Sequence, residues 1–409
     1  MELFHIFSVL IVLSAIFAYI NFRILKLPNT IGLMFVSLFF SFIILVVGHF
    51  FPSFELAIAL KLGNINFSEL LLEGMLSFML FAGAIHIKYE DLKSEKLSIL
   101  LFSTIGVVIS TVVIGFATYY ILNLAGINVQ LIQALLFGAL ISPTDPIAVL
   151  SILKSVGISK SLETKITGEA LFNDGVAVVL FMTLFQLSKS NVPMDVSHVV
   201  FLFGQEAIGG IILGFVIGWS GYKLIVSIDN YQVEVLITLA VVMGGYTLAH
   251  YIHVSGPLAM VIAGIITGNP TKKFGMSQIT AEYIDKFWEL IDEILNALLF
   301  VLIGLELLII HTNKTILFVA FLLIFVGLLT RFLSVWLPSL MMSFIDKISY
   351  KKLLIQTWGG LRGGISIALA LTISNEAHKD IWVTLTYVIV CFSILVQGST
   401  IGKFVKNLK

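Results

Sequence analysis

Two polar clusters interrupt the apolar stretches of this chain, and both hold residue types that bind ions. One reads Ser142-Pro143-Thr144-Asp145-Pro146; the other reads Gly168-Glu169-Ala170-Leu171-Phe172-Asn173-Asp174-Gly175. A charged side chain at the centre of a bilayer helix costs roughly 2.5–3.5 kcal/mol on insertion scales, so an acid there marks a working site. The two prolines flanking Asp145 each remove a backbone donor and clash with the preceding turn, which rules out an unbroken helix. Broken backbone at membrane depth survives only where it lines a cavity or is buried in protein. The two clusters therefore predict an ion or substrate site near the membrane midplane.

Within the second cluster, Glu169 and Asn173 share a helix face, while Asp174 lies about 100° further round. One helix thus presents Glu169 to one partner and Asp174 to another. A carboxylate withdrawn from water is neutralised by a proton unless a cation replaces it. An acid that alternates between the two is the minimal device for exchange. Hard cations such as sodium take oxygen ligands. Asp174, the Asn173 amide oxygen, the Thr144 hydroxyl and the carbonyls of the break offer them. Asp145 has two readings: its carboxylate caps the half-helix at the break, or it touches the ion.

The composition requires that these clusters sit in a membrane. The chain is 58% hydrophobic and 12% charged, whereas soluble domains carry about 25% charged residues. The fold class is an all-α polytopic membrane protein. Formal net charge is zero, which argues against nucleic acid as a partner. Cys391 is the single cysteine, so no intramolecular disulfide or cysteine metal cluster can form. Met1 to Phe22 is apolar with no basic residue ahead of it; it reads as a first transmembrane helix rather than a secretory signal.

Apolar runs able to cross a bilayer begin near Phe4, Pro28, Phe67, Leu97, Val129, Leu162, His198, Val233, Ser255, Leu290, Thr315, Leu353 and Ile381. They predict about 13 transmembrane helices. The ninth, Ser255 to Gly268, is short and glycine-rich, and Phe54 to Leu60 is too short to cross. The twelfth run is broken by Gly359-Gly360-Leu361-Arg362-Gly363-Gly364, as the fifth is by Pro-Thr-Asp-Pro. Breaks at corresponding positions of two halves are the mark of inverted repeats, with the substrate bound between them. Of the 24 Lys and Arg residues, only Lys61, Lys189, Lys314 and Lys379 fall on one set of alternating loops, and Arg331 and Arg362 fall inside runs; all others fall on the opposite set. The positive-inside rule then places the N-terminus outside and the C-terminus in the cytoplasm.

Ser-Pro-Thr-Asp-Pro, Gly-Glu-x-Leu-Phe-Asn-Asp-Gly and Trp358-Gly359-Gly360-Leu361-Arg362-Gly363-Gly364, in this order, resemble the motifs of the NhaP-type sodium/proton antiporters of the monovalent cation:proton antiporter-1 family. Phe287-Trp288-Glu289, Asn296, Phe300 and Gly304 extend the resemblance to nearly the whole chain. It implies an NhaA/NhaP-like antiporter fold with two broken crossing helices, in a homodimer of the plasma membrane surrounded by lipid. It implies elevator-type exchange of Na+, or Li+, for H+, with no resident cofactor beyond the transported ions. Exchange is expected to be electroneutral, because an Asn-Asp pair replaces the Asp-Asp pair of electrogenic relatives. Residues 1–92 and 191–313 are expected to form the dimerisation and scaffold helices, and 93–190 and 314–409 the transport core. By matched position, Asp174 resembles the carrier of ion and proton, with Asn173, Thr144 and Asp145 around it and Asp174 and Thr144 as sodium ligands. Glu169 and Arg362 resemble a structural ion pair.

Two positions depart from the family pattern. Ala170 stands where relatives often carry Ser, and Ala82 where they often carry Glu. Both remove an oxygen ligand, so potassium/proton exchange by the same machinery stands beside sodium.

Other residues invite blander readings. Arg331 either snorkels from a helix end or takes part in function. Glu306 falls late in the tenth run, within reach of the outer interface, and is left unassigned. His250 and His253 have zinc-like spacing but no third ligand near in sequence. Gly209, Gly210, Gly214 and Gly218 follow no strand, so they predict close helix packing rather than a nucleotide loop. An intramembrane hydrolase would show a His-Glu-x-x-His helix or a protease acid pair, and neither is present. A channel would line its pore with repeated polar rings. The sequence reads as a transporter, not an enzyme.

Overall fold

The computed structural model describes residues 2–51, 69–189, 196–308, 313–342, 349–373 and 378–408. The stretch Phe54 to Leu60, the start of the third run at Phe67, and Lys61 lie outside the described residues. The described chain is helical, with one isolated antiparallel bridge, between Asp145 and Leu361.

One group of helices comes first and again in the middle of the chain. They are α1 (Glu2–Ile20), α2 (Asn29–Phe50) and α3 (Leu76–Ile85), the last entered through a π-helical turn at Leu70–Met75. A second group follows with α4 (Tyr89–Ser103), α5 (Ile105–Leu124), the broken pair α6 (Leu131–Ile141) and α7 (Ile147–Val156), and α8 (Lys160–Lys189). Next are α9 (Val196–Val226), α10 (Tyr231–Tyr251), α11 (Gly256–Ile266) and α12 (Gln278–Glu306). The chain continues with α13 (Lys314–Met341), the second broken pair α14 (Tyr350–Gly359) and α15 (Gly364–Leu371), α16 (Lys379–Phe392) and α17 (Ser399–Leu408). Among the described residues eight helices are long and apolar enough to cross a membrane. The halves of the broken pairs are shorter because the break cuts each run.

Two groups of helices pack more closely within themselves than with each other: α1–α3 with α9–α12, and α4–α8 with α13–α17. Without a hydrophobic drive between helices in lipid, close backbone approach and interhelical hydrogen bonds hold such groups. The glycines of α9 act in this way. A Cβ on Gly210 or Gly218 would press on Ser255 or Ala263, and one on Gly214 would meet the Ala259 Cα at 2.8 Å. The short ninth run is therefore a buried helix, α11, clasped on its other side by Phe81 and Ala84 of α3 against Gly264. Between α2 and α12, Ser37 Oγ donates to the Phe300 carbonyl at 3.1 Å and Ser41 Oγ to that of Gly304 at 2.8 Å. Large apolar side chains such as Phe39, Phe201, Phe318 and Leu329 remain exposed, as a lipid-facing perimeter requires.

At one end of the bundle, lysines pair with acids: Lys154 with Glu163 at 3.2 Å, Lys165 with Glu95 at 3.3 Å, and Lys272 with Asp285 at 2.5 Å. This is the end that carries the lysine-rich loops.

Candidate ion site at the helix crossing

The two breaks face each other. Asp145 N–H donates to the Leu361 carbonyl at 2.8 Å, which ties the first break to the second. Each break exposes helix ends with unsatisfied backbone groups and a partial charge. Arg362 answers the negative end of α6. Its Nη1 donates to the carbonyl of Ser142 and, at 3.2 Å, to that of Pro143. Asp145 answers the positive end of α15: a Cβ on Gly363, the residue that opens this helix, would meet Asp145 Oδ2 at 2.7 Å. Its charge thus compensates the helix across the crossing, while its side chain also lines the cavity described below.

The second break is braced from α16. A π-helical turn at Ser393–Gly398 follows that helix, and such turns re-aim side chains at functional sites. Here Ser393 Oγ accepts from Arg362 N–H at 2.9 Å and donates to Gln397 Oε1 at 2.7 Å. Gln397 Nε2 in turn donates to the Trp358 carbonyl at 3.1 Å.

The ion pair expected between Glu169 and Arg362 is not the one formed. Glu169 is paired with Arg331 of α13, whose Nη1 meets Oε1 and whose Nη2 donates to Oε2 at 3.1 Å. Both residues are buried, at 1% and 6% exposure, so Arg331 does not snorkel from a helix end. Arg331 Nε also donates to the Gln356 carbonyl at 3.3 Å, and the guanidinium lies so close to Gly360 that no side chain fits there. Arg362 is drawn elsewhere because the carbonyls of the broken α6 have no helical donor. Glu306 is likewise buried, at 4%, and does not reach an interface.

Asn173 and Thr144 come together, with Asn173 Nδ2 donating to Thr144 Oγ1 at 2.8 Å. Both are buried and they join α8 to the first break. Asp174, one position on, looks instead into a cavity of about 160 Å³. Asp145, Asp174, Ala170 and Thr167 line it, with Ser366 from α15 and Asp292 from α12. Leu80 and Gly83 of α3 line it as well. The cavity thus lies between the two helix groups and holds three carboxylates. Asp292 was not singled out by sequence, though a signal existed: it is an acid just inside the tenth apolar run, four residues before Asn296. His250 and His253 line a separate cavity of about 460 Å³ with Glu206. Among the described residues no group of three or more His, Cys, Asp or Glu is placed to hold a resident metal ion.

Residues 11–407 match the family model for the transmembrane sodium/hydrogen exchanger. The chain belongs to the sodium/hydrogen exchanger family. It is 46% identical over 403 residues to the Na+/H+ antiporter NhaP of Pseudomonas aeruginosa, covering 97% of this chain and 95% of that protein. It is 34% identical to the antiporter NhaH of Halobacillus dabanensis, over 94% of this chain and 93% of the relative. The structure of the sodium proton antiporter MjNhaP1 from Methanocaldococcus jannaschii superposes with a TM-score of 0.78 at 21% identity, covering 100% of this chain and 99% of that one. The fold is therefore that of an NhaP antiporter, and this exchanger is a multi-pass membrane transporter rather than an enzyme. In it, the cavity and the helix crossing share Asp145 as a common wall.

Proposed function

We propose that this protein exchanges sodium for protons across the membrane, with Asp174 as the shared carrier. One observation supports this most directly: Asp174 faces a cavity between the two helix groups, beside a crossing whose helix-end charges are compensated by Asp145 and Arg362. The relatives named as Na+/H+ antiporters supply the ion. Lithium follows as a second cargo because it shares sodium's preference for oxygen ligands.

The cavity runs from Asp174 toward Ile87 and Thr167, at the lysine-rich end. That end is assigned to the cytoplasm and the N-terminus to the outside on the lysine pattern. Sodium entering from the cytoplasm displaces the proton from Asp174; movement of the core (93–190 and 314–409) against the scaffold (1–92 and 191–313) carries the site across. A homodimer gives the scaffold a fixed reference in the lipid. Asn173 and Thr144 hold the first break to α8, Glu169 with Arg331 holds α8 to α13, and Asp145 adjoins the ion.

Exchange is electroneutral, one proton for one monovalent cation, because Asn173 stands where a second carrier acid would be. Proton and cation compete for Asp174, so apparent cation affinity weakens about tenfold per pH unit on the acid side of the site's titration. The test is Asp174→Asn in proteoliposomes under an imposed proton gradient. Loss of sodium-driven proton flux in a folded variant supports the assignment; substantial flux rejects it. A wild-type rate that rises steeply with imposed voltage rejects electroneutrality. Potassium is the alternative cargo, favoured by Ala82 and Ala170. Equal dissipation of the gradient by potassium and by sodium would replace the sodium reading.

A further inference from the structure

We infer that the Ser366 hydroxyl is a ligand of the transported cation, in the same cavity that Asp174 lines. The inference rests on the exchange function proposed above and names one more member of its binding site.

Ser366 occupies the first turn of α15, immediately after the second break. It is 1% exposed and lines the same cavity as Asp174 and Asp145. Its Oγ has no hydrogen-bond partner. Buried helical hydroxyls normally bond back to a carbonyl one turn earlier. Ser334 Oγ does so to the Arg331 carbonyl at 2.9 Å and Thr183 Oγ1 to that of Val179 at 2.9 Å, whereas Thr111, Thr118, Thr330 and Thr384 are buried without a partner as Ser366 is, but none of them lines the cavity. Ser366 makes no such bond, and the turn before it is the broken segment. A buried hydroxyl left without a partner costs about 1–3 kcal/mol, and Ser366 is placed where a guest in the cavity can satisfy it.

The remaining walls narrow what that is. The cavity carries acids at positions 145, 174 and 292 and no basic side chain, which selects a cation. Asn173 Nδ2 is bonded to Thr144 behind the wall, and Asn173 Oδ1, also without a partner, lies outside the cavity lining. Ala170 contributes only a methyl group. Thr167 Oγ1 is held on its own helix by the Glu163 carbonyl at 2.9 Å. Ser366 therefore supplies the unpartnered neutral side-chain oxygen among the described residues that line the cavity, with both lone pairs available. A dehydrated sodium-sized ion takes several oxygens, and a hydroxyl opposite a carboxylate completes such a set. Because Ser366 follows the break directly, the same residue couples occupancy of the site to the geometry of the crossing.

Sodium, lithium and potassium KM values, measured in proteoliposomes at fixed pH and no voltage, test this. Ser366→Ala should raise the KM of the carried cation about three- to tenfold, as expected for one lost neutral ligand, with the maximal rate nearly unchanged. Ser366→Thr, which keeps the hydroxyl, should stay close to wild type. Adding Ala170→Ser to Ser366→Ala returns an oxygen to the same cavity and should lower KM again. Sodium-induced thermal stabilisation in detergent should follow the same order. An S366A protein whose KM, cation preference and sodium-induced stabilisation all match wild type overturns the inference, even if its basal melting temperature falls, since that pattern is purely structural. Should S366A fail to fold, S366C gives the same comparison, with sulfur a poor sodium ligand. A wild-type protein that exchanges none of the three cations would instead sink the exchange function, and this inference with it.

Discussion

Breaking the Glu169–Arg331 pair is the sharpest test of how the core is held together. The two side chains are 2% and 8% exposed and meet in a bidentate arrangement. Removing one partner of a buried pair typically costs about 3–5 kcal/mol, because the other charge is left uncompensated. In Glu169→Ala, the guanidinium keeps only its bond to the Gln356 carbonyl. In Arg331→Ala, the carboxylate loses both of its donors from α13. Removing both leaves no orphaned charge, so the double variant should cost less than the sum of the singles by about 2–3 kcal/mol, near the upper end of measured couplings. That is a roughly 30- to 150-fold difference in the folding equilibrium. The matching Glu169/Arg362 cycle should show weaker coupling, since Arg362 spends its Nη1 on the carbonyls of Ser142 and Pro143. Equilibrium unfolding of the four proteins of each cycle in one detergent gives both numbers. Additive losses for Glu169 with Arg331, or the stronger coupling for Arg362, would refute this pairing.

Further expectations concern the walls and supports. Asp292→Asn should leave exchange intact but raise the sodium KM severalfold at low ionic strength, with the difference shrinking in high salt as a wall charge is screened; flux assays at two salt concentrations decide. Gly214→Ala should cost about 1–3 kcal/mol by forcing α9 away from Ala259; a melting temperature equal to wild type would contradict the close approach. His86 lies in the loop after α3, 3.7 Å from Asp285, and burial lowers its pKa despite that acid. The unfolded chain therefore takes up this proton before the folded one does. Stability from this group is full at neutral pH and declines as pH falls below the ordinary imidazole value of about 6.5. His86→Gln should flatten the melting temperature in that acid window; an unchanged slope would remove His86 from the account.

Much of the molecule is legible in local sequence. Hydropathy requires a membrane, and Pro143, Pro146 and the glycines from 359 to 364 require the two breaks, because backbone donors and steric clash are properties of a residue and its neighbours. The small residues of α9 likewise announce a close helix contact, although the ninth run that receives it is too short to stand out by hydropathy. Asp174 is identifiable as a site residue because an acid in an apolar run has no inexpensive alternative explanation. The thirteen-helix count and the orientation remain readings of the charge pattern.

What tertiary structure decided is which groups meet. The resemblance pairs Glu169 with Arg362, but the structure pairs it with Arg331, a lone cation in a different apolar run. Periodicity fixes the spacing of side chains on one helix but not the angle at which that helix faces another. The carbonyls freed at Ser142 and Pro143 settle the choice, and they lie far from Arg362 in sequence. The same holds for Asp292 and Ser366. Each is unremarked in its own helix, and each becomes part of the site only because α12 and α15 converge on one cavity. Burial of Glu306 is a fourth case, since a position late in a run does not say whether its end meets water or protein. Local physics sets where the chain must cross, break and carry charge; packing between distant helices sets which charge answers which.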